Sequence, residues 1–220
     1  MMNRKYSHIL FDLDGTIVDS SKGVTNSVAY ALKKFGIIEG DKKKLLKFLG
    51  PPLYDSFRAY YDMSHDQANE AVVAYREYYR DRGIHEHVLY PDIANLLDTL
   101  KKEGFTVWLA TSKPTDFARV ILEEQGLLPY FSFLAGATFD GSRNNKESVL
   151  RYALDEGGFN DTSRMLMVGD RFHDIVGAHA VGIDVAAVLF GFGSREEFVE
   201  YKADYIVETA MDLLPICRQA

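Results

Sequence analysis

The sequence has little of two things that would point to particular classes of protein. It contains one cysteine, Cys217, so an internal disulfide is excluded, and the reducing cytoplasm is the expected compartment. Basic residues are outnumbered: 25 Lys and Arg stand against 32 Asp and Glu, which gives a net charge of −7. A chain of this charge has no general field that would attract nucleic acid or an acidic membrane surface. We therefore expect neither as a partner.

Long hydrophobic runs are also missing. The first apolar stretch begins after Arg4 and Lys5 and is interrupted at Asp12, which is too early for a signal peptide or a membrane span. The chain shows no internal repeat and no low-complexity segment. We therefore expect a soluble, intracellular protein.

The chain does contain enough apolar residues, 47% of 220, for a substantial core. Short runs rich in β-formers alternate with stretches of helical periodicity, and this alternation predicts an α/β fold with a parallel sheet covered by helices. One helix is predicted at 91–104, because Pro91 suits a first turn and Gly104 a stop. The predicted strands are 9–11, 105–111, 131–136, 164–170, 184–190 and 204–207.

A long interval after the first predicted strand carries no strand signal. From Ser20 to Gly83 the apolar spacing is helical throughout, and Ser64 with Gln67 forms a capping-box pattern. The block is too long for one crossover connection, which normally needs little more than a single helix. We predict a small helical domain of residues 17–87, inserted into a core domain of residues 1–16 and 88–220.

Two carboxylates, Asp12 and Asp14, follow the first apolar run in "FDLDGT". In α/β sheets, ligands bind outside the carboxyl ends of the strands. Residues i and i+2 share one face of a strand, and Gly15 lets the backbone turn away directly afterwards. Two like charges this close are costly unless a cation or a shared proton offsets them. The pair therefore suits Mg²⁺, whereas its spacing does not fit a calcium loop.

Further polar groups stand at the ends of other predicted strands. Taken singly, each has an ordinary explanation, as a helix cap or as a solvated side chain. Taken together, they predict a second pair of carboxylates for the cation, a hydroxyl cradle for a phosphate, and a counter-charge. The residues are Asp170 and Asp174 in "GDRFHD", Thr111 and Ser112 in "ATSKP", and Lys146 at the start of a helical run.

The order of these segments resembles that of a known family. "FDLDGT", "ATSKP", Lys146 and "GDRFHD" follow one another as the four motifs of the haloacid dehalogenase-like (HAD) superfamily do, and the resemblance covers essentially the entire chain. The helical block after the first motif resembles the α-helical cap of its phosphoglycolate phosphatase-like members. The resemblance implies a Rossmann-like core with helices on both faces of the sheet, and a Mg²⁺-dependent phosphatase that works through an aspartyl phosphate.

The resemblance also implies catalytic roles by position. Asp12 is the implied nucleophile, and Asp14 the implied general acid and then general base, since one group serves both steps when it is protonated in one and ionised in the next. Thr111 and the main-chain amide that follows it, that of Ser112, are implied to bind phosphate oxygens. Lys146 is implied to neutralise Asp12 and the transferring group.

The metal site is implied in the same way. Asp12, Asp170 and the main-chain oxygen of Asp14 correspond to the Mg²⁺ ligands of the family. Asp174 corresponds to a residue that acts through water and through bonds to those ligands. Phosphoryl transfer is mainly positioning and electrostatics, so this set of residues is chemically sufficient.

Selection of the leaving group has to come from outside these motifs, because they bind only the phosphoryl group. One candidate is the cap segment Gly50, Pro51, Pro52 and Leu53, which begins a helix rigidly; the alternative is an ordinary turn between helices. The other is Arg143 in "DGSRNNK", for which the alternative is an arginine in solvent.

The expected substrate is a small phosphorylated metabolite, with phosphoglycolate or a 5′-nucleotide favoured. Pyrophosphate and the sugar phosphomutase reaction, as in β-phosphoglucomutase, are the alternatives. A non-catalytic Mg²⁺ or phosphate sensor is disfavoured because the two aspartates and the lysine are intact. The expected assembly is a monomer or a weak homodimer.

Overall fold

The structure, a computed structural model, describes residues 5–159 and 161–219. The chain forms two compact units: Met1–Val18 with Leu89–Ala220 is one, and Asp19–Val88 is the other. Two short strands, β2 (Val18–Asp19) and β3 (Val88–Leu89), form a two-stranded sheet where the chain passes between the units. None of the helices described is long and apolar enough to cross a membrane.

The larger unit is built on a six-stranded parallel sheet. Its strands, numbered along the chain, are β1 (His8–Phe11), β4 (Thr106–Pro114), β5 (Phe133–Ala137), β6 (Met165–Gly169), β7 (Asp184–Val188) and β8 (Tyr205–Val207). Their order in the sheet is β5-β4-β1-β6-β7-β8. β1 lies in the middle, and its last residue, Phe11, is opposite Leu109 of β4 and Val168 of β6. The chain segments that follow these three strands therefore leave the sheet at one edge, close together.

Helices cover both faces of this sheet. On one face, α7 (Lys146–Gly157) and α8 (Phe172–Ala180) pack into a core that includes Leu10 and Met167 of the strands. On the other, α5 (Ile93–Lys102) buries its apolar stripe and contacts β4. The remaining helices of this unit are α6 (Thr115–Glu124), α9 (Arg195–Glu200) and α10 (Leu213–Cys217). The α/β prediction is confirmed.

Two boundaries in this unit differ from the sequence prediction. β4 was predicted to end at residue 111 but continues to Pro114, with a shift of register against β5 between Thr111 and Pro114. Proline is tolerated there because it sits at the end of the strand, next to the irregularity. The helix predicted from Pro91 begins at Ile93, because Asp92 adopts a left-handed conformation (φ 62°) that interrupts the helix.

The smaller unit is helical. It contains α1 (Ser21–Lys34), α2 (Lys42–Leu46), α3 (Leu53–Tyr61) and α4 (His65–Asp81), followed by a short 3-10 turn. The capping box predicted at the start of α4 is present: Gln67 N donates to Ser64 Oγ at 3.2 Å, and Ser64 N to Gln67 Oε1 at 2.9 Å. α1 packs closely on the turn after α4, since a Cβ on Gly23 would lie 2.0 Å from Gly83 O.

Candidate active site

The turn after β1 is tightly specified by its own hydrogen bonds. Asp12 N extends the pairing with β6 by donating to Val168 O at 2.9 Å. The N–H groups of residues 16, 17 and 18 all donate to Leu13 O, at 3.3, 2.9 and 3.0 Å. Gly15 has φ +84°, and a Cβ there would lie 2.0 Å from Asp170 Oδ2, so this position requires glycine for both conformation and space. The turn therefore holds "DLDG" against the end of β6.

Lys146 lies at the centre of the charged groups at this edge. Its Nζ is 2.9 Å from Asp12 Oδ1 and 2.8 Å from Asp174 Oδ1, and it donates a hydrogen bond to Ala110 O at 2.8 Å. The side chain is 3% exposed. α8 approaches it closely, because a Cβ on Gly177 would lie 2.7 Å from Lys146 Cβ. Packing of the two helices thus aims the ammonium at the end of the sheet.

Three carboxylates are clustered at this edge: Asp12, Asp170 and Asp174 each offer an oxygen, and these oxygens lie within 4.8 Å of one another. Asp170 is fully buried; its Oδ2 accepts a hydrogen bond from Phe192 N at 2.8 Å, and its Oδ1 accepts one from Thr16 Oγ1 at 3.5 Å. Asp174 Oδ2 accepts from the N–H of residues 170 and 171, at 3.1 and 3.0 Å. Asp174 is therefore tied to the backbone that carries Asp170.

Burial raises the pKa values of two of these carboxylates, Asp12 and Asp170. It raises the pKa of Asp12 to about 6, with Lys146 opposing the shift and Asp174 adding to it. Burial also raises the pKa of Asp170 well above its ordinary value, and the charges of Asp174 and Asp12 raise it further. Burial alone would lower the pKa of Lys146, but the charges of Asp12 and Asp174 outweigh it and the net shift is upward. The lysine stays charged, and it pairs with two of the three clustered acids, Asp12 and Asp174.

The donor set fits a divalent cation. Asp12, Asp170 and Asp174 are close together and largely buried, and only Asp12 and Asp174 pair with Lys146, at 2.9 and 2.8 Å. Clustered carboxylate oxygens of this kind are the ligands Mg²⁺ prefers. A second positive charge there would offset both the burial and the neighbouring negative charges that raise the pKa of Asp170.

Asp14 has a partner that the sequence did not reveal. Lys113 Nζ lies 2.9 Å from Asp14 Oδ1 and 2.6 Å from Oδ2. Lys113 was available as the fourth residue of "ATSKP", two positions after Thr111 and so on the same face of an extended strand. The contact of Lys113 with Asp14 was not predicted, because the strand was predicted to end at Thr111.

The phosphate-binding candidates occupy β4. Thr111 is buried, its side chain opposes the rise in the pKa of Asp12, and its Oγ1 accepts a hydrogen bond from Lys113 N at 3.2 Å. Ser112 is partly exposed and, one residue after Thr111, lies on the opposite face of the strand. Two further contributors to the site were not anticipated: Thr16, and Gly191, where a Cβ would lie 2.3 Å from Asp170 Cβ.

The specificity candidates lie apart from this cluster. Arg143 Nε donates to Gly136 O at 2.6 Å, and its guanidinium lies 3.6 Å from the centre of the Tyr152 ring, so it braces the loop between β5 and α7. The segment 50–53 belongs to the smaller unit. There Pro52 is the N-cap of α3, and Gly50 has φ +102°.

Comparison with known proteins places this geometry in a family. The sequence profile of the haloacid dehalogenase-like hydrolases matches residues 9–188. A 5′-nucleotidase of Pseudomonas aeruginosa is 42% identical over 193 residues, which cover 88% of this chain and 87% of the relative. The tyrosine-protein kinase PtkA of Mycobacterium tuberculosis is 39% identical over 92% of this chain and 68% of its own length. The pyrophosphatase PpaX of Bacillus velezensis is 29% identical over 98% of both chains.

Solved structures agree with the sequence relatives. The crystal structure of a predicted phosphatase from Clostridium acetobutylicum superposes with a TM-score of 0.92 at 41% identity, covering 96% of this chain and 97% of that one. The family profile spans every core motif residue, from Asp12 to Asp174, and the chain is an enzyme with relatives named as phosphatases. With its aspartates and lysine gathered at the carboxyl edge of a parallel sheet, this chain belongs to the haloacid dehalogenase-like hydrolase family.

Proposed function

We propose that the chain is a Mg²⁺-dependent phosphatase that hydrolyses a small phosphorylated metabolite through a phosphorylated Asp12. The observation that carries this proposal is the position of Asp12 Oδ1, which is buried and lies 2.9 Å from Lys146 Nζ. A carboxylate oxygen held this way, with its charge screened by a fixed cation, is prepared to attack phosphorus.

In the first step, an Asp12 carboxylate oxygen forms a bond to phosphorus while the bond from phosphorus to the ester oxygen breaks. Asp14 gives its proton to that departing oxygen. In the second step, Asp14 takes a proton from water, the water oxygen attacks phosphorus, and the bond to Asp12 breaks to release phosphate. Lys146 remains protonated throughout and stabilises the negative charge on Asp12 and on the phosphoryl oxygens.

Mg²⁺ would be held by Asp12, Asp170 and the main-chain oxygen of Asp14, with Asp174 orienting the backbone around Asp170. The ion would supply positive charge opposite the carboxylates and the transferring phosphoryl group. Thr111 and the main-chain N–H of Ser112 would bind phosphoryl oxygens. The three clustered carboxylates support this assignment.

A 5′-nucleotide is the substrate we place first, because the relative from Pseudomonas aeruginosa, named a 5′-nucleotidase, is 42% identical. Phosphoglycolate is second, and pyrophosphate third on the likeness to PpaX. We propose that residues 1–16 and 88–220 form the core domain and that residues 17–87 form a cap. The cap would select the leaving group through residues 50–53, with Arg143 as a further candidate. We expect the protein to be a cytoplasmic monomer or weak homodimer.

A phosphate-release assay tests the proposal. The purified protein is given a panel of nucleoside monophosphates, phosphoglycolate, sugar phosphates and pyrophosphate, with Mg²⁺ and with EDTA. We expect release of phosphate in Mg²⁺, little in EDTA, and none from a folded Asp12→Asn variant, since an amide cannot form the acyl phosphate. Release by Asp12→Asn at the wild-type rate would disprove the covalent mechanism, and conversion of a sugar phosphate to its isomer without release would indicate the mutase.

The same panel tests the cap segment. Substitutions at Pro51, Pro52 or Leu53 should change the order of preferred substrates, whereas Lys146→Met should lower activity on every member. An unchanged order after replacement of residues 50–53 would remove this segment from specificity and leave the phosphatase proposal standing.

A further inference from the structure

Lys113 and Asp14 form a close ion pair that no step of the proposed mechanism uses. Lys113 Nζ lies 2.9 Å from one oxygen of the Asp14 carboxylate and 2.6 Å from the other. The lysine side chain is 6% exposed and the aspartate side chain 21%. The two residues are 99 positions apart in sequence and meet because β1 and β4 are neighbours in the sheet.

The backbone that carries Lys113 is firmly held. Its N–H donates to Thr111 Oγ1 at 3.2 Å, within the irregular end of β4. β5 approaches so closely that a Cβ on Gly136 would lie 2.7 Å from Lys113 O. The ammonium is thus presented from a packed strand, and functional groups on rigid elements are held more accurately than groups on loops.

A single ammonium that contacts both oxygens restrains the rotation of a carboxylate. Bonds between charged partners are also stronger than neutral ones. Asp14 stands on the turn after β1, and it has to lie within hydrogen-bond reach of the departing oxygen to protonate it. The rate of the first step therefore depends on the orientation of this carboxylate.

We propose that Lys113 is a positioning residue, whose ammonium orients the Asp14 carboxylate toward the oxygen of the leaving group. This inference rests on the proposed function, which gives Asp14 its role as acid and base. Lys113 itself transfers no proton and touches no reacting atom. Its loss should consequently harm the departure of a poor leaving group more than it harms the departure of a good one.

The test compares two phosphate monoesters that differ in leaving group. One is the best alkyl phosphate of the panel, whose alcohol oxygen needs a proton to depart; the other is p-nitrophenyl phosphate, whose phenolate departs without one. Because a misplacement of about 1 Å costs about 10²-fold in rate, we expect Lys113→Met to lower kcat/KM for the alkyl phosphate by about that factor. The loss on p-nitrophenyl phosphate should be much smaller, and Lys113→Arg should restore part of the activity on the alkyl phosphate.

A double-mutant cycle separates action through Asp14 from independent action. Asp14→Asn should lower kcat/KM for the alkyl phosphate by about 10²- to 10⁴-fold. Adding Lys113→Met to Asp14→Asn should cause no further loss, because the residue to be positioned is already gone. The double variant carries neither charge of the pair, so no unpaired charge is left. It can therefore be compared with Asp14→Asn even if Lys113→Met alone folds poorly.

Lys102 provides a matched control, since its Nζ lies 2.6 Å from Asp98 in an exposed ion pair. Lys102→Met should leave the ratio of the two kcat/KM values unchanged. Equal losses on both substrates by Lys113→Met, or additive losses in the double variant, would overturn the proposal and indicate that Lys113 binds the phosphoryl group. Failure of the proposed function would be evident earlier, as a wild-type protein without phosphate release or an active Asp12→Asn variant.

Discussion

Charged clusters lie at both edges of the central sheet; the cluster where the strands begin is partly exposed, and the cluster where they end is buried. At the amino edge, where the strands begin, Tyr6 Oη donates to Asp184 Oδ2 at 2.6 Å and Lys5 Nζ lies 2.8 Å from the same oxygen. At the carboxyl edge, the carboxylates of Asp12, Asp170 and Asp174 are clustered, and one lysine, Lys146, pairs with two of them. The first cluster has more donors than acids, and the second has more acids than cations.

The pKa shifts of the acids show the same contrast. At Asp184, burial raises the pKa, but the hydrogen bonds from Lys5 and Tyr6 outweigh burial and the net shift is downward. At Asp12 and Asp170, burial dominates and the net shift is upward. Ionised Asp184 therefore stabilises the protein by itself, whereas the ionised acids of the carboxyl edge need a bound cation or phosphoryl group. Groups held in this strained way mark functional sites.

The largest expected effect comes from Lys146→Met. Removal of one partner from a buried ionic cluster costs about 3–5 kcal/mol, because the remaining charges are left uncompensated. Activity should fall by about 10²- to 10³-fold or more on every substrate, since a fixed charge at the transferring group is lost. Urea denaturation and kcat/KM measure the two effects.

Lys5→Met is the control for this variant at the amino edge. The Lys5 side chain is 41% exposed, so its ion pair with Asp184 should contribute no more than about 1 kcal/mol. The activity of the Lys5→Met variant should equal that of the wild type. Similar activities for Lys146→Met and Lys5→Met would remove the contrast between the edges.

A smaller and opposite effect on stability is expected from Asp170→Asn. The substitution removes a buried carboxylate that faces Asp12 and Asp174, so in EDTA the free energy of unfolding should rise by about 1–2 kcal/mol, at the cost of activity. Added Mg²⁺ should raise the Tm of the wild type and not that of the variant, because only a ligand bound to the native state stabilises it. A variant that is less stable than the wild type in EDTA would contradict this interpretation of the site.

The smallest effect is expected from Asp184→Asn at the amino edge. It should lower the free energy of unfolding by about 1–2 kcal/mol at pH 7, a value reduced by partial exposure, and leave kcat/KM unchanged. The pKa of Asp184 is lowered in the folded state, so its contribution is present above the unfolded pKa and disappears as pH falls through the folded pKa. Denaturation curves should therefore show wild type and variant converging in acid. A difference that grows in acid would assign the effect to another group.

Much of the fold was predictable because the relevant signals are local. Each of the six predicted strands overlaps a strand of the sheet, since runs of β-formers between helical stripes report burial directly. The exceptions also have local causes. Pro114 obscured the end of β4, where pairing with Ala137 of β5 outweighs the usual avoidance of proline in strands. Asp92 begins a helix from a left-handed conformation that no periodicity signals.

The candidate site divides in the same way. Asp12, Thr111, Asp170 and Asp174 were found from their positions after apolar runs, and Lys146 from its place at the start of a helical run as a counter-charge. The structure brings them to one edge. The contacts between Thr16 and Asp170 and between Lys113 and Asp14 span 154 and 99 residues and have no local pattern. They became visible only with the pairing of the strands.

By itself, the sequence determined which chemical groups are available and at which end of which strand each one stands, because strand length and alternation are properties of short segments. The tertiary structure decided which group faces which. It alone set Lys146 between Asp12 and Asp174, raised the pKa of Asp12 to about 6 and gave Asp14 the ammonium of Lys113 as its partner. The physical reason is that charge interactions and desolvation depend on distances and on burial by distant parts of the chain, and neither exists before the sheet has formed.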